Sequence, residues 1–379
     1  MNGMNLTKTS AAFKKGLKVA GIIVLVYYIT TLYIYPFAKS IYRRIIVKVD
    51  PPNALFGQLD QLEFTSKPIK AENVTYVLNT KNGRLPEDMP FKMKVYKFEQ
   101  GSVSFTAGGE ALDTAAFMGF SDSDLISDLK GSTYKWRSLS SGGLLEINKD
   151  TRTIELSTDL TGPGQEYFRG YFAPEAAQES ARALFKSIKR FDSLYESGKQ
   201  EVVMGKFNGS TIANVDKGSG QIARVDFFRF VKEGNLTYMI LGPDPSKGLL
   251  HTYVRKVSKE PSPFNYPIVQ GYFKEVNTDS KAFYPVIEVA SAWKAVKQGS
   301  GIIAQVSPKA NNPFEEYEPV AINTILINNI KLAYYESPQN LRYLQPIFVF
   351  EGNYRVTGGQ GGDIVIYFPA VSGEYVKKN

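Results

Sequence analysis

His251 is the only histidine in a 379-residue chain that has no cysteine, and those two facts remove most enzyme chemistry before any fold is considered. A structural zinc site draws four ligands from Cys, His and carboxylates, and a catalytic one keeps two or three His or Cys. One histidine nearly excludes both, and a cysteine nucleophile is impossible. A Ser-His-Asp triad would have to use His251, which follows Leu249-Leu250 in a strand-like run, with no G-x-S-x-G elsewhere. Its setting reads as that of a surface or half-buried strand histidine. Ser127-Asp128-Leu129-Lys130 matches S-x-x-K, the spacing of a serine–lysine hydrolase, but the K-T-G partner motif is missing. A solvated loop or helix end explains the match as well.

The remaining polar clusters give weaker signals. Asp122, Asp124 and Asp128 suggest a calcium loop, yet the sixth and twelfth positions counted from Asp122 are Ser127 and Thr133, where an EF-hand needs glycine and glutamate. Looser calcium binding stays open beside acidic helix caps or solvated turns. Gly358, Gly359, Gly361 and Gly362 surround Thr357 and Gln360 with no Lys-Ser/Thr after them, so they read as a flexible hairpin connection and not as a phosphate loop. Glu315, Glu316 and Glu318 lie beside Pro313; paired-carboxylate hydrolysis would need two such acids converging in a cleft. No residue is assigned a catalytic or metal role, and no cofactor is expected. The 23 tyrosines and 24 phenylalanines fit sheet cores and cross-strand pairs. Tyr334, Tyr335 and Tyr343 crowd one loop, and tyrosine is favoured at interfaces, so these three are the candidate partner-binding residues.

One element must position everything else. Val19 to Ala38 is twenty residues without a charge, roughly 30 Å as a helix, the thickness of a bilayer's hydrocarbon core. Its length and the poor cleavage site at Pro36-Phe37-Ala38-Lys39 argue for an uncleaved anchor against a signal peptide. Four Lys/Arg precede the run and four follow closely, so charge alone does not orient it. The short N-terminal tail, the large C-terminal part and the lack of cysteine favour an extracytoplasmic domain. Of the net charge of +8, residues 1–50 carry +7, eight Lys/Arg against Asp50, which leaves +1 for the rest. A nucleic-acid binder needs a basic face on its folded domain, so no nucleic-acid partner is expected. The expected partners are the lipid bilayer, through residues 19–38, and another envelope protein.

The organisation read from these signals is a cytoplasmic tail 1–18, an anchor 19–38, a juxtamembrane stalk 39–61, a β-rich subdomain 62–172, a first α+β module 173–260 and a second 261–379. Strand-like alternation marks Thr75–Leu78 and Phe91–Phe98. Leu144–Ile147 and Thr153–Ile154–Glu155–Leu156 read as a hairpin with Leu145, Ile147, Ile154 and Leu156 on one face. A short helix is weakly indicated within Asp113–Leu129. Helices are predicted from Pro174 to Ser197 and from Pro285 to about Gly299, 111 residues apart at their starts, each followed by antiparallel strands. Leu184, Ile188, Trp293 and Val296 fall on their buried faces. The fold class is α+β: a transmembrane helix, a β-rich region and two diverged modules of a helix packed on antiparallel sheet.

The stretch AINTILINNIKLAYYESPQNLRYLQPIFVFEGNY with GGDIVIYFPAVSGE resembles the C-terminal module of the YycI/YycH-type proteins. The likeness lies in a long strand ending Leu332-Ala333-Tyr334-Tyr335, a short linker, Leu344-Gln345-Pro346 opening a second strand, a closing strand ending Pro369-Ala370-Val371, and a preceding helix with Trp293. It covers about the last 95 residues. Those proteins are single-pass, membrane-anchored extracytoplasmic regulators with a PepSY-like build. They act on a membrane sensor kinase tied to cell-wall metabolism, partly through their transmembrane helices. The juxtamembrane PPNALFGQL is similar to uncharacterised bacterial membrane proteins. The resemblance implies regulation by contact, a non-enzymatic binding role towards another envelope protein. An envelope hydrolase of serine–lysine or carboxylate type, and a structural subunit of a secretion or pilus-like assembly, stay open as alternatives.

Overall fold

An uncharged apolar run satisfies its backbone groups within itself by folding as a helix, and the chain does so. In the computed structural model α1 covers Leu6–Ile29 and passes into a π-helical turn at Thr30–Ile34. Thr31 marks the change of pitch: its hydroxyl donates back to the Tyr27 carbonyl at 2.7 Å. Within Leu17–Ile34 mean hydropathy is 1.9 and no side chain is buried. This helix is therefore long and apolar enough to cross a membrane. Pro36, Phe37 and Ala38, the end of the expected span, lie outside the described residues. Those residues are 6–35, 52–71, 73–99, 107–127, 131–160, 168–215, 218–257, 261–272, 274–309, 312–338, 341–356, 359 and 361–377. They fall into two units, Met1–Pro51 and Pro52–Asn379.

The second unit is mixed α/β, mostly one large sheet with few helices. Its first half is antiparallel. The strands are β3 (Thr133–Arg137), β4 (Leu144–Asn148), β5 (Ile154–Ser157), β6 (Lys199–Phe207), β7 (Ile212–Val215), β8 (Ile222–Glu233), β10 (Leu250–Val254) and β11 (Ile268–Gly271). They run in the order β3-β4-β5-β11-β10-β8-β6, with β7 beside β6. The hairpin register pairs Leu145 with Leu156 and Ile147 with Ile154. All four are buried, the alternation that puts one face of a strand into a core.

On that face lies α3, Pro174–Ser187, against β6, β8 and β10. Ala177, Ala181, Leu184 and Phe185 form its buried stripe, and Phe185 meets the edge of Phe227 at 5.6 Å. The helix is shorter than its periodicity predicts. Lys189 takes a left-handed φ of 56°, and a separate turn of helix, α4 (Ser193–Glu196), is capped by the Asp192 carboxylate, which accepts from the Tyr195 amide at 3.0 Å. Asp192 also pairs with Arg229 of β8, so a tertiary charge contact and a local cap together interrupt the helical run. The weak helical signal at Asp113–Leu129 resolves into α2 (Ala107–Phe117) and one 3-10 turn, Asp122–Asp124.

The second half contains β13 (Ile302–Pro308), β14 (Thr324–Tyr335), β15 (Tyr343–Arg355) and β16 (Gly362–Pro369), antiparallel in the order β13-β16-β15-β14. The free edge of β14 carries two parallel partners: β1 (Thr75–Leu78) along Thr324–Ile327, and β9 (Leu236–Leu241) at Tyr334 and Tyr335. The expectation of antiparallel pairing throughout is corrected at these two places. α5, Val289–Ala295, covers one face and continues through a π-helical turn to Ser300, ended by Gly299 at φ 83°. It starts four residues later than predicted. Pro285 is the last residue of β12 (Val276–Pro285), opposite Lys92 of β2 (Lys92–Phe98), and Val286 bridges to Val371. Trp293 and Val296 are buried as predicted, Trp293 stacked over Phe350 at 6.1 Å.

The halves join through β8 and β9, a hairpin turning at Gly234. The stretch 62–172 does not stay together. Its β1 and β2 enter the C-terminal half, β2 between β12 and the start of β15, while β3, β4 and β5 enter the first.

Candidate functional site

The residues with chemical potential in the sequence are dispersed by the fold. His251 sits in β10 opposite Asp226, 5% exposed. Its Nδ1 lies 2.9 Å from the Gly248 carbonyl. A carbonyl only accepts, so Nδ1 carries the proton and Nε2 is the acceptor. Burial pushes its pKa down from the ordinary value, partly opposed by Asp226. Asp226 accepts from Arg224 Nε at 2.8 Å and from the Gly248 amide at 2.9 Å. The histidine is thus neutral and built into a strand. Ser127 Oγ accepts from the Lys135 amide at 2.9 Å, covering the edge of β3; Asp128 and Lys130 lie outside the described residues. Asp124 accepts from the Ser121 amide and hydroxyl, both at 2.8 Å, as a local cap. Glu315 accepts from Asn312 at 2.9 Å, and Glu316 and Glu318 are exposed on the same loop. Gly359 and Gly361 lie in the connection between antiparallel β15 and β16, and Gly362 opens β16; Thr357, Gly358 and Gln360 are outside the described residues.

The tyrosines expected to face a partner are core residues, which corrects that expectation. Tyr334 and Tyr335 are buried completely and Tyr343 nearly so. The Tyr334 hydroxyl lies between the Glu233 carboxylate and the Lys94 carbonyl, 2.8 Å from the latter. Burial, then the nearby Glu233 charge, raise its pKa well above the ordinary value. Tyr335 packs on Phe64 at 4.6 Å and donates to the Glu63 carbonyl. Tyr343 stacks on Phe56 at 5.0 Å. The covering residues come from 56–98, more than 200 positions away in the chain, and no local pattern reveals that return.

Two constellations that sequence reasoning missed give the domain its distinctive chemistry. The first is a buried charge cluster where the halves join. Arg229 of β8 and Glu336, just past β14, are each 0% exposed and paired. Arg229 also reaches Asp192 at 3.2 Å and lies 5.1 Å from the Tyr195 ring. Lys274 donates to the Ser337 carbonyl at 3.1 Å. Burial lowers the guanidinium's pKa, but Glu336, Tyr195 and Asp192 outweigh it and leave Arg229 above its ordinary value, firmly charged. Arg229 Nε, Glu336 Oε1, Ser337 Oγ and Tyr195 Oη are buried without a hydrogen-bond partner among the described residues, so the cluster carries a desolvation cost.

The second is a clasp on the residues that follow the anchor. The expected stalk, 39–61, is folded into the sheet from Asn53 onward. Asn53 Oδ1 accepts from the Phe283 amide at 2.8 Å, and the Ala54 amide donates to the Phe283 carbonyl at 3.0 Å. Tyr284 donates to the Gly57 carbonyl at 2.9 Å. Leu59 is buried and bonded to Tyr375 and Lys377. Asp60 closes the clasp: Arg342 grips both its carboxylate oxygens at 2.9 and 2.8 Å, and Lys377 adds a contact at 2.8 Å. These partners, the Arg342 hydrogen bond foremost and against the opposing effect of burial, hold the Asp60 carboxyl down at about 2 from 3.8. A depressed folded pKa stabilises only where the unfolded carboxyl is ionised. The wild type is therefore expected to exceed Asp60→Asn by about 1 kcal/mol near neutral pH. That margin should vanish as pH falls through about 4 to about 2, as read by urea unfolding of both proteins across that range.

No family model matches the chain, and no curated protein matches it. Among solved structures it is similar to an uncharacterized protein from Eubacterium rectale ATCC 33656, at 13% identity, over 81% of this chain and 92% of that one, with a TM-score of 0.39. A likeness of that size does not define a shared fold family or a function.

Proposed function

We propose that this chain is a single-pass membrane protein with a cytoplasmic N-terminus, whose domain from residue 52 lies outside the cytoplasm and binds and regulates another envelope protein without catalysing a reaction. The proposal includes kinship of the C-terminal helix-on-sheet module with the PepSY-like YycI/YycH regulators. The observation that carries the reading is the clasp. A passive tether needs only a loose linker, yet here the chain is locked to β12, β15 and the C-terminal residues from Asn53 onward. Within a few residues of Pro52 the chain is thus already bonded into the folded domain. His251, buried in β10 and bonded to the Gly248 carbonyl, supports a structural role for the one histidine.

The test separates orientation from action. A reporter fused after Asn379 is expected to be active only outside the cytoplasm. Replacing Leu17–Ile34 by an unrelated apolar helix of equal length should preserve that reporter signal and weaken the co-purification of envelope partners from membranes by at least about fivefold, because helix pairs in lipid depend on specific small and hydroxyl-bearing positions such as Gly21, Thr30 and Thr31. An active reporter inside the cytoplasm, or partner recovery untouched by the swap, would refute the reading.

A further inference from the structure

Opposite α5 the C-terminal sheet has a depression whose polar lining side chains are amides and acids, Gln305, Asn328, Asn329, Glu351, Asn353 and Asp363, with Lys331 at its rim paired to Glu351. Side chains alternate along β15: Phe348 and Phe350 face Trp293, while Glu351 and Asn353 point the opposite way. The register then aligns two rows across the strands. In one, Asn79 donates to Asn328 at 2.8 Å, Asn328 to Asn353 at 2.5 Å, and Asn353 to Asp363 at 2.6 Å. In the other, Asn329 donates to Glu351 at 2.8 Å, with Gln305 two strands further on. A shallow depression of about 310 Å³ runs between the rows.

Two irregularities shape this face. β14 bulges between Ile327 and Asn329, and β13 between Ile303 and Gln305. Each bulge bends its strand and re-aims side chains next to the depression. Between them Gly352 allows the close approach: a Cβ there would lie 2.0 Å from the Leu326 carbonyl oxygen. Bulges recur beside binding and active sites, where they re-aim side chains, and here one flanks the polar concavity on each side.

The lining chemistry narrows the ligand. Neither lysine nor arginine is in the lining, and the Lys331 ammonium at its rim is already paired with Glu351, which disfavours phosphate and other anions. Its apolar part is limited to Ile364 and Val365, too little for a lipid or an aromatic ligand. Strand pairing on both sides of β15 and β16 denies an extended peptide the open edge it would add to. What remains is hydrogen bonding of a particular kind. Asn328 and Asn353 each spend one N–H and one lone pair on their neighbours in the row, which leaves a second donor and a second acceptor side by side on the same amide. Adjacent donor–acceptor pairs match the vicinal hydroxyl and acetamido groups of a sugar. We propose that this face binds a neutral oligosaccharide, with Asn328, Asn353 and Gln305 as its principal contacts.

The test uses the full chain in lipid nanodiscs, free of glycoside detergents, with tetra-N-acetylchitotetraose and cellotetraose as probes in calorimetric titrations. At least one sugar is expected to bind saturably with a Kd of about 1 mM or tighter. Asn353→Ala and Gln305→Ala are each expected to weaken binding by about tenfold, the loss of roughly one hydrogen bond, with Tm unchanged because both side chains are partly solvent-exposed. Gln305→Ala keeps the inference testable should Asn353→Ala disturb the row. Absence of saturable binding by both sugars up to about 10 mM, or binding that neither variant alters, overturns the proposal. So does binding confined to a short envelope peptide titrated in parallel.

Discussion

Arg229→Met is expected to destabilise the domain by about 3–5 kcal/mol, the cost of leaving a buried charge without its partner. Glu336, 0% exposed, would keep only the flank of Lys274, and Asp192 would lose its long-range contact while retaining its cap on Tyr195. The double variant Arg229→Met, Glu336→Met should recover a large part of that loss, since paired removal relieves desolvation at both ends. A double-mutant cycle in urea, followed by circular dichroism, reads the coupling directly. Strictly additive losses would mean that the two residues act independently and that the cluster does not tie the halves together.

Trp293→Ala is expected to cost about 3–5 kcal/mol, the range for emptying a large buried aromatic. The indole is 7% exposed, stacks on Phe350 at 6.1 Å and lies 5.7 Å from the Lys297 ammonium. α5 has only seven residues, too short to hold its shape without such an anchor. The same unfolding measurement reads the effect, and a loss below about 1 kcal/mol would show that the helix docks by other contacts.

Much of the local structure was legible in the sequence. Leu145, Ile147, Ile154 and Leu156 alternate, and the hairpin they predict is present with all four buried. Leu184, Ile188, Trp293 and Val296 lie at helical spacing and are buried. Errors fell where distant contacts overrode a local pattern. The run from Pro174 breaks where Lys189 turns left-handed and Asp192 engages Arg229. Pro285 looks like a helix start but closes β12, because Lys92 and Val371 lie beside it. Lys199–Phe207 carries no apolar alternation, yet it forms β6 along an edge of β8.

The candidate sites were less legible than the fold. Tyr334, Tyr335 and Tyr343 crowd one loop and suggest a surface, but Phe64 and Phe56 return from far upstream to cover them. The amide face was invisible because its rows join residues from Asn79, just past β1, to Asp363 of β16 that share no sequence motif.

What the sequence by itself determined is whatever depends on short range: the apolar helix through Leu17–Ile34, the scarcity of catalytic residue types, and the amphipathic period of the strands and helices. A side-chain period of two or 3.6 and an unbroken apolar run are local quantities. Only the tertiary structure decided how β1, β2 and the segment from Asn53 to Asp60 wrap the C-terminal half, which charges meet around Arg229, and which face of that sheet stays open. Those are pairings between residues up to about three hundred positions apart. Their formation depends on complementary edges and faces meeting in space, with loop closure over such distances adding little to the cost of each further residue.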